Sequence, residues 1–257
     1  MTLKVSTKGN NPLKRLLEVI NRDEELIQLW TSANITAVDR LGMSDHGRVH
    51  IQIVANAAVK IFRLLSSAGI KANVEKDHGM TADDAEVAIV LAACLHDVGM
   101  AIHRDHHETF SVVLGYPKAR ALLESLYPEP ARTILAAEAM HAVIAHQWDA
   151  SSLSLEAGIL KVADALDMTE GRSRIPFEAG SVNIHSLSAQ AVEDVKIERG
   201  DQRPVRINIT LNNSAGIFQV DELLKRKLKG STIAPYVEVI AHVEGEQERR
   251  LLEAYEL

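Results

Sequence analysis

Cysteine, aromatic residues and long apolar runs are all scarce in this chain of 257 residues. A single cysteine, Cys94, excludes an intramolecular disulfide framework and suits a reducing cytosol, so we expect a cytoplasmic protein with Cys94 in its core. Aromatic residues make up 4% of the chain, too few for a surface that stacks nucleic-acid bases. The longest apolar runs are about nine residues, short of the roughly 18–20 that cross a bilayer. With no secretory signal visible at the N-terminus, we expect no membrane association.

Positive charge is also in deficit. The 28 lysine and arginine residues are outnumbered by 35 aspartate and glutamate residues, which gives a formal net charge of −7. Binding to nucleic acid needs a basic surface that replaces counterions, so the composition argues against a nucleic-acid partner. An anionic small molecule would need a local cation, from lysine, arginine or a metal, to offset this acidic field. The motifs GxGxxG, GxxxxGK[ST], GxSxG, HExxH and CxxC are all absent.

Hydrophobic periodicity predicts helices in the first two-thirds of the chain. Leucine and isoleucine recur at helical spacing across residues 11–42. Ser44 is a candidate N-cap for a further helix that ends at Gly69. Residues 70–80 are polar and are expected to form a connection. With 46% hydrophobic residues, the chain can bury a substantial core.

A central, enclosed helix is predicted for the segment TADDAEVAIVLAACLHDVG. Thr81 is suited to cap its start, acidic residues occupy its first turn, and Gly99 ends it. The segment is apolar on all sides, which is typical of a helix surrounded by protein. Four more helices are expected further along the chain: HRDHHETFSVVLG, YPKARALLESLY, EPARTILAAEAMHAVIAHQ and SLEAGILKVADALDM.

The pattern changes near residues 171–180, where glycines, a proline and two arginines indicate a boundary. Beyond it, apolar and polar residues alternate in PVRINITLN, which predicts a strand, and two more strands are expected in VKIERG and YVEVIAHVEG. Amphipathic helices are predicted for VDELLKRKL and EQERRLLEAYE. We therefore predict a mainly α protein, with a helical domain at residues 1–178 and a small α+β module at residues 179–257. The apolar strands of that module are compatible with an interface in a homo-oligomer.

Histidines recur in pairs where the helices are expected to converge. The pairs are His46 and His50, His103 and His107, and His141 and His146. A spacing of four places two side chains on one helix face. A spacing of five turns a helix by about 140°, so His141 and His146 cannot both face one point unless the helix ends between them.

Aspartates accompany these histidines in apolar surroundings. His96 and Asp97 adjoin at the C-terminal end of the central helix, where a buried carboxylate at the negative end of the helix dipole favours a bound cation. Asp164 and Asp167 lie three apart in another mostly apolar helix. For these two, a helix cap or a buried salt bridge with Lys161 or an arginine is the alternative.

Imidazoles and carboxylates without thiolates suit Mn, Fe, Co, Ni or Zn, whereas oxygen ligands alone would suit Mg or Ca better. The number of candidates exceeds the four ligands of a closed structural zinc site. It suffices for one metal with open positions or for two metals about 3.5–4 Å apart. We therefore expect one or two divalent transition metal ions, with Mg also admitted.

The segment LHDVG at the end of an apolar helix resembles the HD superfamily of metal-dependent phosphohydrolases. HIQIVANAAVKI resembles that family's first ligand segment and LKVADALD its last, while HHETFSVVLG and AVIAHQ resemble the two helices between. The resemblance covers about residues 44–170 and leaves open whether His46 or His50, and whether His141 or His146, faces the site. The metal ligands that it implies are His50, His96, Asp97, His107, His146 and Asp164.

The resemblance also implies a reaction: hydrolysis of a phosphate ester, of a nucleotide or a similar small phosphorylated molecule, by metal-activated water. Asp97 would bridge two metals, His46 would shuttle a proton or support a ligand, and Asp167 would orient a ligand or bind a water. The basic candidates for gripping the phosphate are Arg104, Lys161 and Arg172.

Two other functions share these motifs. A di-iron oxygenase on the same scaffold would use the same ligand set, and iron content with oxygen consumption would distinguish it. A non-catalytic module that binds a metal or nucleotide for regulation is the second alternative. The apparently full ligand set argues against that second alternative.

Overall fold

The computed structural model describes residues 2–168 and 191–244. Within these ranges, helices occupy the first part of the chain and a small sheet lies in the C-terminal part, which confirms the mainly α fold with a small α+β module. The helices are α1 (Asn11–Ile20), α2 (Glu24–Asn34), α3 (Arg48–Ser67), α4 (Asn73–His78), α5 (Ala82–Leu95), α6 (His107–Leu123), α7 (Ala131–Ala145), α8 (Leu155–Ala165) and α9 (Arg226–Lys229). The strands are β1 (Val192–Arg199), β2 (Val205–Leu211) and β3 (Val237–Val243). Single turns of 3₁₀ or π-helix occupy Ile35–Arg40, Val98–Ala101, Ser214–Gly216, Gln219–Lys225 and Ala234–Tyr236.

Helix α5 is the buried centre of the helical part, as the sequence predicts. Thr81 Oγ1 accepts from the Asp84 N–H at 3.2 Å, and the Asp84 carboxylate accepts from the Thr81 N–H at 2.9 Å, so the two residues form a capping box. At the other end, Trp30 Nε1 donates to the Cys94 carbonyl at 2.7 Å. Cys94 is buried, as predicted, and burial raises the pKa of its thiol. Both ends of the helix are therefore fixed, including the end that carries His96.

The predicted helical stretch at residues 11–42 consists of two helices. The Asp23 carboxylate accepts from the Leu26 N–H at 2.7 Å and so caps the start of α2. Helix α3 begins at Arg48, later than a cap at Ser44 implies. Helix α6 runs unbroken through Pro117, where the sequence predicts two segments. That proline costs an intrahelical hydrogen bond, and the burial of the turns that follow it offsets the loss.

The prediction of a plain connection at residues 70–80 is wrong, because this segment contains α4. The Glu156 carboxylate, on α8, accepts from the N–H groups of Asn73 and Val74 at 3.0 and 2.9 Å. These bonds satisfy the first turn of α4 from a residue more than 80 positions away. No local sequence pattern contains that contact.

One helix of the described residues, α3, is long and apolar enough to cross a membrane by length and composition alone. Of its most apolar window, 56% is buried inside the protein. Core helices of soluble proteins pass the same test, so this finding is weak evidence for a membrane span.

The sheet has the order β1-β2-β3, with β1 and β2 antiparallel and β2 and β3 parallel. The predicted alternation in β2 is confirmed: Val205, Ile207, Ile209 and Leu211 are all buried. They belong to the same hydrophobic cluster as the helices, so the sheet and the helices share a core. The proposed boundary at 178/179 and the predicted helix at residues 246–256 lie outside the described residues. The two-domain division therefore stays a prediction.

The segment predicted as an amphipathic helix, VDELLKRKL, forms a π-helical turn that continues into α9. The chain after α9 is bonded to the start of α8: Ser152 N–H donates to the Gly230 carbonyl at 3.2 Å, and Thr232 Oγ1 donates to the Ser154 carbonyl at 2.7 Å. A Cβ on Gly158 would lie 2.3 Å from Thr232 Oγ1. Only glycine permits this close approach between the module and α8.

Candidate metal centre

Four helices and the turn after α5 deliver histidines and aspartates to one buried cluster. His50 lies in the first turn of α3, and His96 and Asp97 follow α5 directly. His107 begins α6, His146 follows α7, and Asp164 lies in the last turn of α8. The six positions implied by the sequence resemblance therefore converge, although the first and last are 114 residues apart in the chain (164 − 50).

The first part of the cluster, which we call the first pocket, joins His50, His96, Asp97 and Asp164. The Nε2 atoms of His50 and His96 are 3.1 Å apart. Asp97 Oδ2 lies 3.3 Å from His50 Nε2 and 3.2 Å from His96 Nε2. Asp164 Oδ1 lies 3.4 Å from His50 Nε2 and 3.8 Å from His96 Nε2. Each of the two imidazole Nε2 atoms thus lies within 4 Å of one oxygen from each of the two carboxylates.

The second pocket joins the other oxygen of Asp97 to two more imidazoles. Asp97 Oδ1 lies 3.3 Å from His107 Nε2 and 3.7 Å from His146 Nε2. The rings of His96 and His146 are 5.0 Å apart, so the two pockets adjoin. A carboxylate that gives one oxygen to each of two adjacent pockets is placed to bridge two cations.

The outer nitrogen of each imidazole faces an oxygen acceptor. A carbonyl or carboxylate oxygen only accepts, so for His50, His96 and His146 these contacts favour the tautomer with the proton on Nδ1 and the Nε2 lone pair in the pocket. The Nε2 atoms of His50 and His96 are 3.1 Å apart, so once His96 has lost its extra proton a cation between the two lone pairs fits. The acceptors and their distances from Nδ1 are Asp167 Oδ2 at 2.6 Å for His50, Ala93 O at 2.9 Å for His96, Arg104 O at 3.0 Å for His107 and Val143 O at 2.5 Å for His146.

Electrostatics within the cluster favour charged carboxylates. Burial alone would raise the pKa values of Asp97 and Asp164, but neighbouring cationic groups hold both well below their usual range, His96 chiefly for Asp97 and Lys227 chiefly for Asp164. Burial would lower the pKa of His96, but Asp97 and Asp164 raise it to about 10. Burial and the nearby His96 lower the pKa of His146 to about 3. Without a metal, the cluster thus holds a proton on His96, which marks the position of a cation.

Gly99 is required by the approach of α6 to the turn after α5. A Cβ at this position would lie 2.1 Å from the His107 carbonyl oxygen and 2.5 Å from Ser111 N. The Gly99 N–H donates to Ser111 Oγ at 2.8 Å. The glycine in LHDVG therefore lets His107 reach Asp97, a role beyond the helix stop that the sequence indicates.

Comparison with known proteins agrees with this geometry. The HD domain family matches residues 49–169. Over 234 residues the chain is 39% identical to Uncharacterized protein MJ1020 of Methanocaldococcus jannaschii, covering 91% of this chain and 90% of that protein. The chain belongs to the HD domain family. Members of this family are generally metal-dependent hydrolases. No solved structure matches the chain significantly.

Of the histidine pairs His46/His50 and His141/His146, the structure brings His50 and His146 into the cluster. His46 and His141 lie outside it. His46 precedes α3, so it does not share a helix face with His50, although their rings are 5.5 Å apart. Its Nδ1 lies 2.7 Å from the Ser44 carbonyl oxygen. His141 Nε2 accepts from the Leu153 N–H at 3.1 Å, and His146 is the member of this pair that joins the possible metal ligands. Asp167 contacts His50, the contact expected of a residue that orients a ligand.

The three basic residues predicted to bind phosphate have different surroundings. Arg104 lies at the second pocket: its guanidinium Nη1 is 2.7 Å from His107 Nδ1, where it competes with the Arg104 carbonyl for that nitrogen. Lys161 is fully buried and its ammonium donates to the carbonyls of Gln147 and Ala150, so its expected role in gripping phosphate is not supported. Arg172 lies outside the described residues.

Sequence reasoning missed Lys227. Its ammonium forms an ion pair with Asp164 Oδ2, although 63 residues separate the two in the chain. The segment VDELLKRKL shows an amphipathic pattern and several lysines, but no motif that connects it to the HD residues. Only the docking of the module on α8 brings this lysine to the metal centre.

Proposed function

We propose that this protein is a metal-dependent phosphohydrolase that cleaves a phosphate ester of a small molecule, a nucleotide or a similar compound. The observation that carries the proposal is the position of the buried Asp97 carboxylate. Each of its two oxygens lies in a different pocket, 3.2–3.7 Å from the Nε2 atoms of two histidines. Membership of a family of metal-dependent hydrolases supports it. The location in the cytoplasm stays a prediction from the single cysteine.

The histidine and aspartate side chains of the two pockets would be the ligands of two metal ions. His50, His96, Asp97 and Asp164 would hold one ion, and His107 and His146 with Asp97 a second. A bound divalent ion supplies Lewis acidity that lowers the pKa of a coordinated water and offsets charge on phosphoryl oxygens. The burial of the imidazoles limits competing water.

Asp167 would keep the His50 ring fixed through the 2.6 Å contact to its Nδ1. His46, beside the His50 ring, is proposed as a proton shuttle or as support for that ring. Arg104 at the second pocket is proposed to bind a phosphate oxygen.

The test begins with metal analysis of the purified protein. Hydrolysis is then measured on a panel of phosphomonoesters and phosphodiesters, including nucleotides, with Mn, Co, Ni and Mg. We expect bound transition metal and turnover of at least one class of ester. The Asp97→Asn variant, which keeps the shape but loses the bridging charge, should lose metal and at least roughly 100-fold in rate.

The matched control is Asp201→Asn, whose side chain is 84% exposed in the C-terminal module. It should keep metal content and rate. A protein with filled sites that hydrolyses no member of the panel contradicts the proposal. Bound iron together with oxygen consumption in that case would favour the di-iron oxygenase instead.

A further inference from the structure

We propose that the C-terminal module completes the active site by providing Lys227 to bind the phosphate group of the substrate. This inference rests on the proposed function, because it names the residue that recognises the anion at the same metal centre. It also gives the module a role that the helical HD domain alone does not supply.

The contact between Lys227 and Asp164 is the first step. The two carboxylate oxygens of Asp164 have different partners. Oδ1 lies 3.4 Å from His50 Nε2 in the first pocket, and Oδ2 forms an ion pair with the Lys227 ammonium. The Asp164 carboxylate alone therefore separates the ammonium from the proposed metal position. A lysine ammonium has three N–H donors, and the bond to Asp164 uses one of them. Among the described residues the other two donors have no hydrogen-bond partner, so they could bind the oxygens of a phosphate held beside the metal.

The exposure of the side chains indicates where a substrate enters. The side chains of His50 and His96 are 0% exposed, Asp97 5%, His146 4% and His107 7%. Asp164 is 15% exposed and Lys227 14%, so the most accessible ligand of the cluster is the one that Lys227 contacts. An incoming phosphate that reaches the first pocket from this side meets the Lys227 ammonium.

Three other cations in the described part of the chain are placed elsewhere. Lys161 is committed to two backbone carbonyls, and Arg104 lies against His107 at the second pocket. Arg226, the neighbour of Lys227, has its guanidinium over the Trp148 ring, 4.9 Å from the centroid. Among the described residues, Lys227 is thus the cation in contact with a carboxylate of the first pocket. Because two carboxylates line that pocket and the chain is acidic, an anionic substrate needs such a charge.

The backbone that follows Lys227 is fixed to the helix that carries Asp164. The bonds from Ser152 to Gly230 and from Thr232 to Ser154 fix the chain just beyond α9 to the start of α8, the helix that carries Asp164. The close contact at Gly158 holds the same segment. Lys227 and Asp164 are therefore carried by elements packed directly on each other, which suits a preorganised binding group.

The experiment measures binding of inorganic phosphate to the full-length, Mn-loaded protein by calorimetry, with metal content determined on each sample. Lys227→Met keeps the length and packing of the side chain but removes the charge, and should weaken phosphate binding by roughly tenfold to a hundredfold. Lys227→Arg, which restores a cation, should stay within a few-fold of the original chain. Lys229→Met, an exposed lysine of the same helix, is the matched control and should bind phosphate unchanged.

Two results would overturn the inference. One is a metal-filled Lys227→Met variant that binds phosphate as tightly as the original chain. The other is a loss of phosphate binding that follows the loss of metal in proportion, since Lys227 would then only position Asp164. If Lys227→Met does not fold, acylation of lysines in the original Mn-loaded protein replaces it. Saturating phosphate should protect Lys227 and not Lys229, and equal labelling of Lys227 with and without phosphate overturns the inference.

These readouts separate the two proposals. Phosphate binding requires no turnover, so a chain that hydrolyses nothing but binds phosphate through Lys227 contradicts the proposed function alone. An active enzyme whose Lys227→Met variant binds phosphate normally contradicts this inference alone.

Discussion

Each imidazole of the metal centre has both ring nitrogens in defined surroundings. Each of the four imidazoles has Nε2 in a pocket and Nδ1 beside an oxygen acceptor, and for His50 that acceptor is the Asp167 carboxylate. A carboxylate behind a ligating imidazole fixes the ring and raises its basicity more than a carbonyl does. His50 is therefore the imidazole most dependent on a side-chain partner.

Replacing that partner tests the point. Asp167→Asn keeps the shape but removes the charge behind His50, and we expect metal affinity to fall by roughly tenfold to a hundredfold. Competition with a chelator measures the change, and circular dichroism checks that the fold is intact. Unchanged affinity would show that Asp167 does not support His50 as a ligand.

The proton on His96 predicts how metal binding depends on pH. In the metal-free protein the pKa of His96 is raised to about 10, so this ring is protonated at neutral pH and must lose its proton to ligate. Lowering the pH favours the protonated ring, and the apparent metal affinity should fall by about tenfold per pH unit below that pKa. Titrations with Mn from pH 7 to pH 9 measure the slope. Calorimetry in buffers of different ionisation enthalpy should detect the released proton, and a flat profile contradicts the prediction.

At the scale of elements, the crossing of α6 over the turn after α5 sets the second pocket. Backbone contacts at Gly99 leave no room for a side chain, because the His107 carbonyl and Ser111 N occupy the space of a Cβ. The position of His107 therefore depends on a glycine eight residues before it (107 − 99).

Gly99→Ala should push α6 away from this turn. We expect the free energy of unfolding to fall by about 1–3 kcal/mol or more, the usual cost of overpacking, with weaker binding of the second metal. Urea unfolding and metal analysis measure the two effects. Gly115→Ala, within α6, is the control, since its Cβ would meet the flexible end of Met140 at 3.1 Å and Leu95 Cβ at an ordinary 3.6 Å. An equal effect of both substitutions would contradict the special role of Gly99.

On the scale of the whole molecule, the helices and the sheet behave as one packed body in the described residues. Buried residues of β2 and of α5 belong to the same hydrophobic cluster, and the module is bonded to α8 beside the metal centre. Unfolding the module alone would expose apolar surface on both sides, which is unfavourable.

We therefore expect a single cooperative thermal transition by differential scanning calorimetry, with equal calorimetric and van't Hoff enthalpies. Metal should shift that transition to higher temperature, because it binds the folded state. Two separable transitions would instead support the independent domains that the sequence predicts.

Much of the fold and of the candidate site was open to prediction. The capped apolar helix before His96, the alternation in β2 and the order of the HD segments are local patterns, and the structure contains each of these elements. The short helix α4 was missed because its first N–H groups are satisfied by Glu156, a residue distant in the chain. The burial of Lys161 was not predicted, because it depends on packing between α7 and α8.

Local sequence patterns specify which residue types line the metal centre, because periodicity and capping depend on neighbouring positions and the segments of the HD motif follow a definite order. Tertiary structure alone decided that Asp97 gives one oxygen to each pocket, that His146 and not His141 faces it, and that Lys227 reaches Asp164. The physical reason is that these facts depend on distances between helices and on the docking of the module. Such distances arise only when apolar faces far apart in the chain are buried together.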